Sequence, residues 1–129
     1  MEHKGLIKLA KKAKENAYAP YSKFKVGACL LARSGKVYLG CNVENSSFGA
    51  TNCAERTALF SAIANGEREF EKIAIVGSNP NEYAYPCGVC RQVLSEFGDL
   101  TIVVAKNESD YKEYKLSSLL PNGFNKESM

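Results

Sequence analysis

The sequence predicts an α/β fold, a three-layer α/β/α arrangement with a mixed sheet of about five strands and helices on both faces. Three observations lead to this class. Helix-like and strand-like segments alternate along the chain, a tight-turn sequence joins the first two strand-like segments, and a short apolar run follows each later helix. Strands joined by a hairpin pair antiparallel, whereas strands separated by helices usually pair in parallel.

The first three elements are an amphipathic helix and a hairpin. Residues 4–17 place apolar side chains on one stripe with lysines opposite, which predicts a helix. Pro20 disfavours helix at the residue before it and so ends the element. Residues 24–32 and 37–43 are rich in strand formers, and residues 33–36 between them have the composition of a hairpin turn.

The later elements alternate between helix and strand. In order, we predict a helix over 53–64 ended by Asn65-Gly66, a strand over 73–76, a helix over 88–97, a strand over 100–104, and a weak strand or helix within 111–120. The chain contains no internal repeat, low-complexity tract or linker. We therefore expect residues 1–129 to form a single domain.

Charge and cysteine content exclude several classes of protein. The 129 residues include 17 basic and 14 acidic side chains, a net charge of +3 that is weak for a protein that binds nucleic acid through phosphates. No segment approaches the roughly 20 apolar residues of a membrane helix. The odd count of 5 cysteines, without a signal-like segment, argues against a disulfide framework. We expect a cytoplasmic protein that binds neither nucleic acid nor membrane.

Three cysteines have the pattern of a metal site. Cys87 and Cys90 stand one helical turn apart at a predicted helix start, and Cys53 opens another helix. Free backbone N–H groups at helix starts stabilise thiolates. Catalytic zinc takes three protein ligands and keeps a fourth position for water. The single histidine, His3, lies near the N-terminus, where chains tend to fray, so the site is expected to work without histidine.

Glu55 is the candidate acid–base residue beside this site. Positions i and i+2 of a regular helix point about 200° apart, so Cys53 and Glu55 would not face one site from within a helix. The pair works only if Cys53 is the N-cap and Glu55 stands in the first turn. The structure can test this requirement directly.

Three other interpretations of these residues remain open. In a structural zinc site, Cys29 or Cys41 would supply a fourth ligand. The Cys-x-x-Cys pair also resembles the redox site of disulfide oxidoreductases. Finally, Asn52-x-x-Glu55 has the spacing of a capping box, in which the glutamate caps its own helix.

The two cysteine motifs together resemble the zinc deaminases of nucleosides and nucleobases. Cys53-x-Glu55 and Pro86-Cys87-x-x-Cys90 match the signature of that superfamily, in which the glutamate is an acid–base residue and not a ligand. Further segments are similar to the small cytidine deaminases. They are residues 20–28, 42–45, 53–56, 87–92 and 119–124.

The resemblance implies a reaction and a set of site residues. The reaction would be hydrolytic deamination of cytidine and deoxycytidine in pyrimidine salvage, with Zn²⁺, one per subunit, activating a water and Glu55 moving the protons. The implied zinc ligands are Cys53, Cys87 and Cys90. The implied substrate contacts are Phe24 on the base, Asn42 and Glu44 on the ribose, Ala54, and Phe124 from a neighbouring subunit. The family is usually a homotetramer with shared active sites.

The sequence departs from the family pattern at a few positions. Phe48 stands where a tyrosine is common, and Asn52 where an apolar residue is frequent. Asn122 slightly extends the motif at residues 119–124.

Three rival functions are considered beside this one: a deaminase of a nucleoside antibiotic such as blasticidin S, a deaminase of cytosines in RNA or DNA, and a non-catalytic zinc module.

Three thiolates on one zinc leave a net charge near −1, and something must offset it. We expect Arg56, three residues after Cys53, to do so together with the two helix N-termini. A unit charge 4 Å from a thiolate contributes about 4 kcal/mol at an effective dielectric constant of 20.

Overall fold

The computed structural model describes residues 1–129. Its helices are α1 (His3–Lys14), α2 (Ala54–Ala64), α3 (Gly88–Ser95) and α4 (Leu116–Leu119). Its strands are β1 (Val26–Ala32), β2 (Val37–Cys41), β3 (Phe70–Gly77), β4 (Thr101–Asn107) and β5 (Asp110–Lys115). Two short 3-10 turns cover Phe48–Ala50 and Lys126–Ser128. None of the helices has the length and apolar character that crossing a bilayer requires.

The five strands form one mixed sheet in the order β2-β1-β3-β4-β5. β1 pairs antiparallel with both β2 and β3, and β4 pairs antiparallel with β5. β3 and β4 are parallel, and α3 lies in the connection between them. The predicted hairpin and the predicted parallel pair are both confirmed, as is the mixed five-stranded sheet.

Alternating side chains of the sheet bury two separate cores. Ala28 and Leu30 of β1 belong to the core that includes residues of α2, α3 and α4. Cys29 and Leu31 belong to the second core, against the apolar stripe of α1. Successive residues of a strand point to opposite faces, so both faces of the sheet are covered by helices. The three-layer arrangement is therefore confirmed.

Two glycines allow helices to lie directly on the strands. A Cβ atom at Gly27 would lie 1.9 Å from the Ala10 carbonyl oxygen of α1. A Cβ atom at Gly40 would lie 2.3 Å from the Ala54 carbonyl oxygen, in the first turn of α2. The start of α2 is thereby set against the end of β2.

Several element boundaries differ from the predicted ones. The first helix ends at Lys14, not at residue 17, and β1 begins at Val26, not at Phe24. The side chain of Asn42 accepts a hydrogen bond from the Val26 N–H and donates one to the Phe24 carbonyl, at 2.8 and 2.9 Å. These bonds replace strand pairing, so the chain turns toward a loop before Val26.

The C-terminal segment left open as strand or helix contains both. Residues 110–115 pair with β4 as the edge strand β5, and residues 116–119 form the short helix α4. The helix predicted over 88–97 ends at Ser95, shortly before Gly98, whose φ is +112°. The left-handed conformation at Gly98 ends helical geometry at low cost because glycine has no Cβ atom.

Candidate metal centre and catalytic cleft

The structure brings the three predicted cysteines together. Cys53 is the N-cap of α2, Cys87 is the N-cap of α3, and Cys90 is buried within the first turn of α3. Their three Sγ atoms lie within 4.8 Å of one another, and the Sγ atoms of Cys53 and Cys87 are 3.8 Å apart. Two helix N-termini thus converge on one sulfur cluster, where their dipoles favour negative charge.

This donor set fits a catalytic zinc ion. Tetrahedral zinc with Zn–S bonds of about 2.3 Å spaces its sulfur ligands about 3.8 Å apart. The cluster contains three protein donors, which leaves one coordination position for water. Cys29 lies in the core beneath α1, and Cys41 is also outside the cluster. The four-ligand structural site is therefore wrong, and a redox pair would not account for Cys53 beside the other two thiols.

Glu55 stands where its predicted acid–base role requires it. Cys53 occupies the cap and Glu55 the first turn of α2, and both line the same cleft. The Glu55 side chain is almost fully buried, with 4% exposure. Burial raises the pKa of its carboxyl group to about 7. A carboxyl group with a pKa near neutrality can both accept and return a proton.

The capping-box interpretation of Asn52 and Glu55 is wrong. The N-cap of α2 is Cys53, one residue later than a capping box would need. The Asn52 amide instead donates to the Thr57 hydroxyl at 3.0 Å, and that hydroxyl donates to the Cys53 carbonyl. Asn52 stands at a position where an apolar residue is frequent in the family, and its polar side chain supports the first turn of α2.

Arg56 contacts the sulfur cluster from α2. Its Nη2 donates to the Cys53 Sγ atom at 3.4 Å. A hydrogen bond with the Cys90 thiol, followed by the hydrogen bond and positive charge of Arg56, lowers the pKa of Cys53 to about 5. The same contact with Cys53 raises the pKa of Arg56. The predicted charge-compensating residue is in direct contact with a ligand.

A cleft of about 310 Å³ opens beside the cluster. It is lined by Phe24, Asn42, Glu44, Cys53, Ala54, Glu55 and Cys87, all of them predicted site residues. Cys90 lies behind this wall, fully buried. The cleft thus joins the predicted acid–base residue, two of the thiols and four of the five predicted substrate contacts.

Asn42 and Glu44 hold the loop that carries Phe24. Asn42 bridges the backbone on either side of Lys25, as described above. One Glu44 oxygen accepts the N–H groups of Tyr21 and Ser22 at 2.9 and 3.1 Å, and the other accepts the Ser22 hydroxyl. The Ser22 hydroxyl, followed by its backbone N–H and that of Tyr21, contributes most to lowering the Glu44 pKa.

Phe24 and Phe124 occupy very different places. The Phe24 ring lies over Gly77, where a Cβ atom would come within 2.8 Å of its Cζ atom. Phe124 lies outside the cleft of its own subunit, in the C-terminal tail. The Gln92 side chain donates to the Phe124 carbonyl at 2.6 Å and accepts from the Phe124 N–H at 3.3 Å. A role for Phe124 in a neighbouring site therefore stays a prediction.

Six further residues line the cleft that were not among the predicted site residues. They are Ser22, Val26, Thr51, Ile75, Ala84 and Tyr85. Tyr85 stands two residues before Cys87, and its hydroxyl shares a hydrogen bond of 2.8 Å with the Tyr114 hydroxyl of β5. Proximity to a predicted site residue was a usable signal for all of them except Ile75, which enters the cleft through long-range packing.

Phe48 lies on the surface beside the mouth of the cleft. Its side chain is 74% exposed, and its ring packs edge-on against Tyr21 with centroids 5.8 Å apart. Tyr21 in turn donates its backbone N–H to Glu44. The departure at Phe48 thus lies outside the metal cluster and contacts the loop that Glu44 holds.

Comparisons with known proteins agree with this geometry. Residues 1–106 match the family model described as the cytidine and deoxycytidylate deaminase zinc-binding region. The cytidine deaminase of Sporosarcina psychrophila is 47% identical over 131 aligned residues, covering 100% of this chain and 96% of that protein. The corresponding protein of Halalkalibacterium halodurans is 46% identical, with 100% and 98% covered.

Solved structures show the same similarity in three dimensions. The crystal structure of cytidine deaminase from Burkholderia pseudomallei has a TM-score of 0.90 and 52% identity, covering 96% of this chain and 100% of that chain. The Mycobacterium tuberculosis cytidine deaminase structure has a TM-score of 0.85 and 37% identity, covering 96% and 98%. This chain belongs to the cytidine and deoxycytidylate deaminase family, and Cys53, Cys87 and Cys90 form its zinc-binding site.

Proposed function

We propose that this protein hydrolyses cytidine and deoxycytidine to uridine and deoxyuridine with release of ammonia, as one catalytic domain spanning residues 1–129. One observation carries the proposal: the buried carboxyl group of Glu55 shares a cleft with an open three-thiol metal site. The full-length similarity to cytidine deaminases supports the choice of substrate.

Glu55 performs the proton transfers of this reaction. A zinc ion held by Cys53, Cys87 and Cys90 would supply an activated water, whose pKa would fall from 15.7 toward about 7. Glu55 takes a proton from the attacking water and delivers it to N3 of the pyrimidine ring. The water oxygen thereby becomes bonded to C4. Glu55 then takes the second proton of that oxygen and gives it to the C4 amino group, whose bond to C4 breaks to release ammonia and leave a C4 carbonyl. Its pKa of about 7 suits both directions of transfer at neutral pH.

The cleft residues orient the nucleoside. Phe24 packs on the base, Ala54 contacts it from the start of α2, and Asn42 and Glu44 bind the ribose. The Asn42 amide uses one of its two hydrogens on the Phe24 carbonyl, so the second is available to a hydroxyl. Glu44 has about four acceptor positions and uses three of them on the Tyr21–Ser22 segment. Each residue can therefore hold the loop and a substrate hydroxyl together.

We further propose that Arg56 offsets the negative charge of the three thiolates. Its contact of 3.4 Å with the Cys53 Sγ atom supports this role. The guanidinium group remains protonated throughout the working pH range, so the compensation does not depend on pH.

The active unit is proposed to be a homotetramer in which Phe124 completes a neighbour's cleft. Gln92 fixes the backbone of Phe124, yet the side chain is 59% exposed and lies apart from its own cleft. Other large apolar side chains, Phe60 among them, are also half exposed.

We also propose that the protein acts in the cytoplasm, in pyrimidine salvage. Its five free cysteines are consistent with that compartment.

An ultraviolet assay with zinc-replete protein tests the proposed reaction. Wild-type protein should remove the absorbance that cytidine and deoxycytidine have and uridine lacks. Glu55→Gln should keep its zinc and lose at least 10²–10⁴-fold in rate, the usual contribution of general acid–base catalysis. Glu71→Gln, at an exposed position of β3, is the matched control.

Failure of this assay would separate the rival functions. Turnover of blasticidin S without turnover of cytidine would assign the antibiotic as substrate. Turnover confined to single-stranded RNA or DNA would assign a polymer. A zinc-loaded, folded protein without any turnover would be a non-catalytic zinc module.

A further inference from the structure

Arg91 contacts both peptide groups that flank the zinc ligand Cys87. Its backbone N–H donates to the Cys87 carbonyl at 3.0 Å, as the first hydrogen bond of α3. Its side-chain Nε donates to the Pro86 carbonyl at 2.7 Å. These carbonyls lie on opposite sides of the Cys87 Cα atom, so together they limit rotation about both backbone bonds of that residue.

The same guanidinium group reaches the C-terminal segment. Arg91 Nη1 donates to the carbonyl of Leu119 at 2.8 Å, where α4 ends. Carbonyls at a helix C-terminus have no partner within the helix and accept bonds from outside it. The next residue, Gln92, clamps the backbone of Phe124 with both atoms of its amide. The adjacent residues Arg91 and Gln92 of α3 thus bind the C-terminal tail (residues 119–124) at two points, Leu119 and Phe124.

Cys87 is the zinc ligand with the fewest other constraints. Cys90 is fully buried inside α3. The Cys53 carbonyl accepts bonds from Thr57, and its Sγ atom accepts one from Arg56. Cys87 is exposed and follows Pro86, which has no N–H group to anchor the segment. The Arg91 Nε bond to the Pro86 carbonyl is therefore the side-chain contact that holds this segment on α3.

We propose that Arg91 is a positioning residue that fixes Cys87 for zinc binding and ties the zinc ligand to the C-terminal tail. The guanidinium fork is rigid and donates to two carbonyls at once, which an ammonium group on a flexible stem does poorly. The orientation of Cys87 then depends on the tail, and the tail's position depends on α3. The consequence for Phe124 rests on the proposed shared active site; the effect on zinc does not.

Zinc release from the loaded protein tests the role of Arg91 without using activity. Arg91→Ala is expected to lose zinc to excess EDTA about 10–100-fold faster than wild type, the usual effect of removing a group that orients a metal ligand. Arg68→Ala is the matched control, because Arg68 also donates to two backbone carbonyls, those of Ile63 and Glu67, away from the cluster. Its zinc release should stay within about twofold of wild type.

Arg91→Lys keeps the experiment decisive if the alanine variant does not fold. Lysine retains the charge and the aliphatic stem but can satisfy only one of the two carbonyls, so release should be at least about threefold faster than wild type. Release at the wild-type rate from Arg91→Lys, or from a folded Arg91→Ala, would overturn the proposal. Faster release from Arg68→Ala to the same degree would also overturn it, since general destabilisation would then explain the effect.

Gln92→Ala separates the effect on zinc binding from the effect on Phe124. It frees Phe124 and leaves the Arg91 bonds in place, so zinc release should match wild type while the KM for cytidine rises. Zinc release faster than wild type from Gln92→Ala would overturn the assignment of the zinc effect to Arg91. If the wild type shows no deaminase activity, the zinc-release comparison still decides the role of Arg91. A failure of the proposed function is therefore distinguishable from a failure of the Arg91 proposal.

Discussion

At the scale of single residues, the adjacent residues Glu55 and Arg56 of α2 carry groups of opposite charge in different surroundings. Glu55 is buried and its pKa is raised to about 7, while Arg56, the next residue, contacts a thiolate. Adjacent positions of a helix point about 100° apart, so one side chain enters the cleft while the other turns to the sulfur atom. A single helical turn thereby carries both the proposed proton carrier and the proposed counter-charge.

Substitution of Arg56 tests the counter-charge. In Arg56→Ala the three thiolates lose a cation 3.4 Å from the Cys53 Sγ atom, so the activated water should become less acidic and zinc less firmly held. We expect zinc affinity or kcat to fall by about 10-fold or more, with the fold retained. Metal analysis, circular dichroism and steady-state kinetics provide the comparison. Unchanged zinc content together with an unchanged rate would eliminate the role.

Glu44 gives a test that depends on pH. Its folded-state pKa lies below the usual value of 4.5, chiefly because the Ser22 hydroxyl donates to it. A lowered pKa stabilises the folded state above the unfolded value, and the contribution is lost as the pH falls through the folded-state pKa. The stability difference between wild type and Glu44→Gln should therefore be constant above pH 4.5 and shrink below it. Denaturant unfolding across this range measures it; a difference independent of pH would contradict the assignment.

At the scale of elements, the metal centre depends on how two helices begin. Both α2 and α3 place a cysteine at the N-cap, and the loops before them bring those caps together. α2 can approach β2 this closely because Gly40 has no side chain. The approach of one helix to one strand therefore helps to set the position of Cys53 and Glu55.

Gly40→Ala should displace the start of α2. Its Cβ atom would lie 2.3 Å from the Ala54 carbonyl and 2.5 Å from the Ala58 nitrogen, both backbone atoms that cannot rotate away. We expect a loss of about 1–3 kcal/mol in the free energy of unfolding, together with weaker zinc binding. Gly49→Ala is the control, since nothing lies within 4 Å of its Cβ position. Equal stability of the two variants in denaturant unfolding would disprove the close-packing argument.

At the scale of the whole molecule, the exposed tail bears on assembly. Phe124 is attached through its backbone to α3 and projects away from the cleft of its own subunit. If the active site is shared, two defective variants can complement each other. This follows because one subunit would supply Glu55 and its neighbour Phe124.

Subunit mixing measures this sharing. Glu55→Gln has a defective cleft and an intact tail, whereas Phe124→Ala has an intact cleft and no aromatic ring to donate. Unfolding and refolding the two together should give activity well above the sum of the separate variants. Phe124→Ala mixed with the double variant Glu55→Gln/Phe124→Ala calibrates the effect of mixing, because neither partner can donate the aromatic ring. Activity equal to the sum would show that each subunit completes its own site.

The sequence by itself determined the features that depend on local spacing. Apolar periodicity and turn residues predicted the α/β class and the hairpin, because helix and strand periods are properties of short segments. The requirement that Cys53 cap a helix followed from the angle between positions i and i+2, and the structure meets it. Recognising the three cysteines as one site needed the resemblance to a family, since spacing alone left the alternatives open.

The tertiary structure alone decided the features that depend on contacts between distant residues. Cys53 and Cys87 are 34 positions apart in the chain, and only the packing of α2 and α3 brings their sulfur atoms to 3.8 Å. The burial of Glu55, the entry of Ile75 into the cleft and the reach of Arg91 to Leu119 have the same origin. Local spacing restricts rotations of neighbouring residues, whereas long-range contacts depend on how the whole sheet and its helices pack.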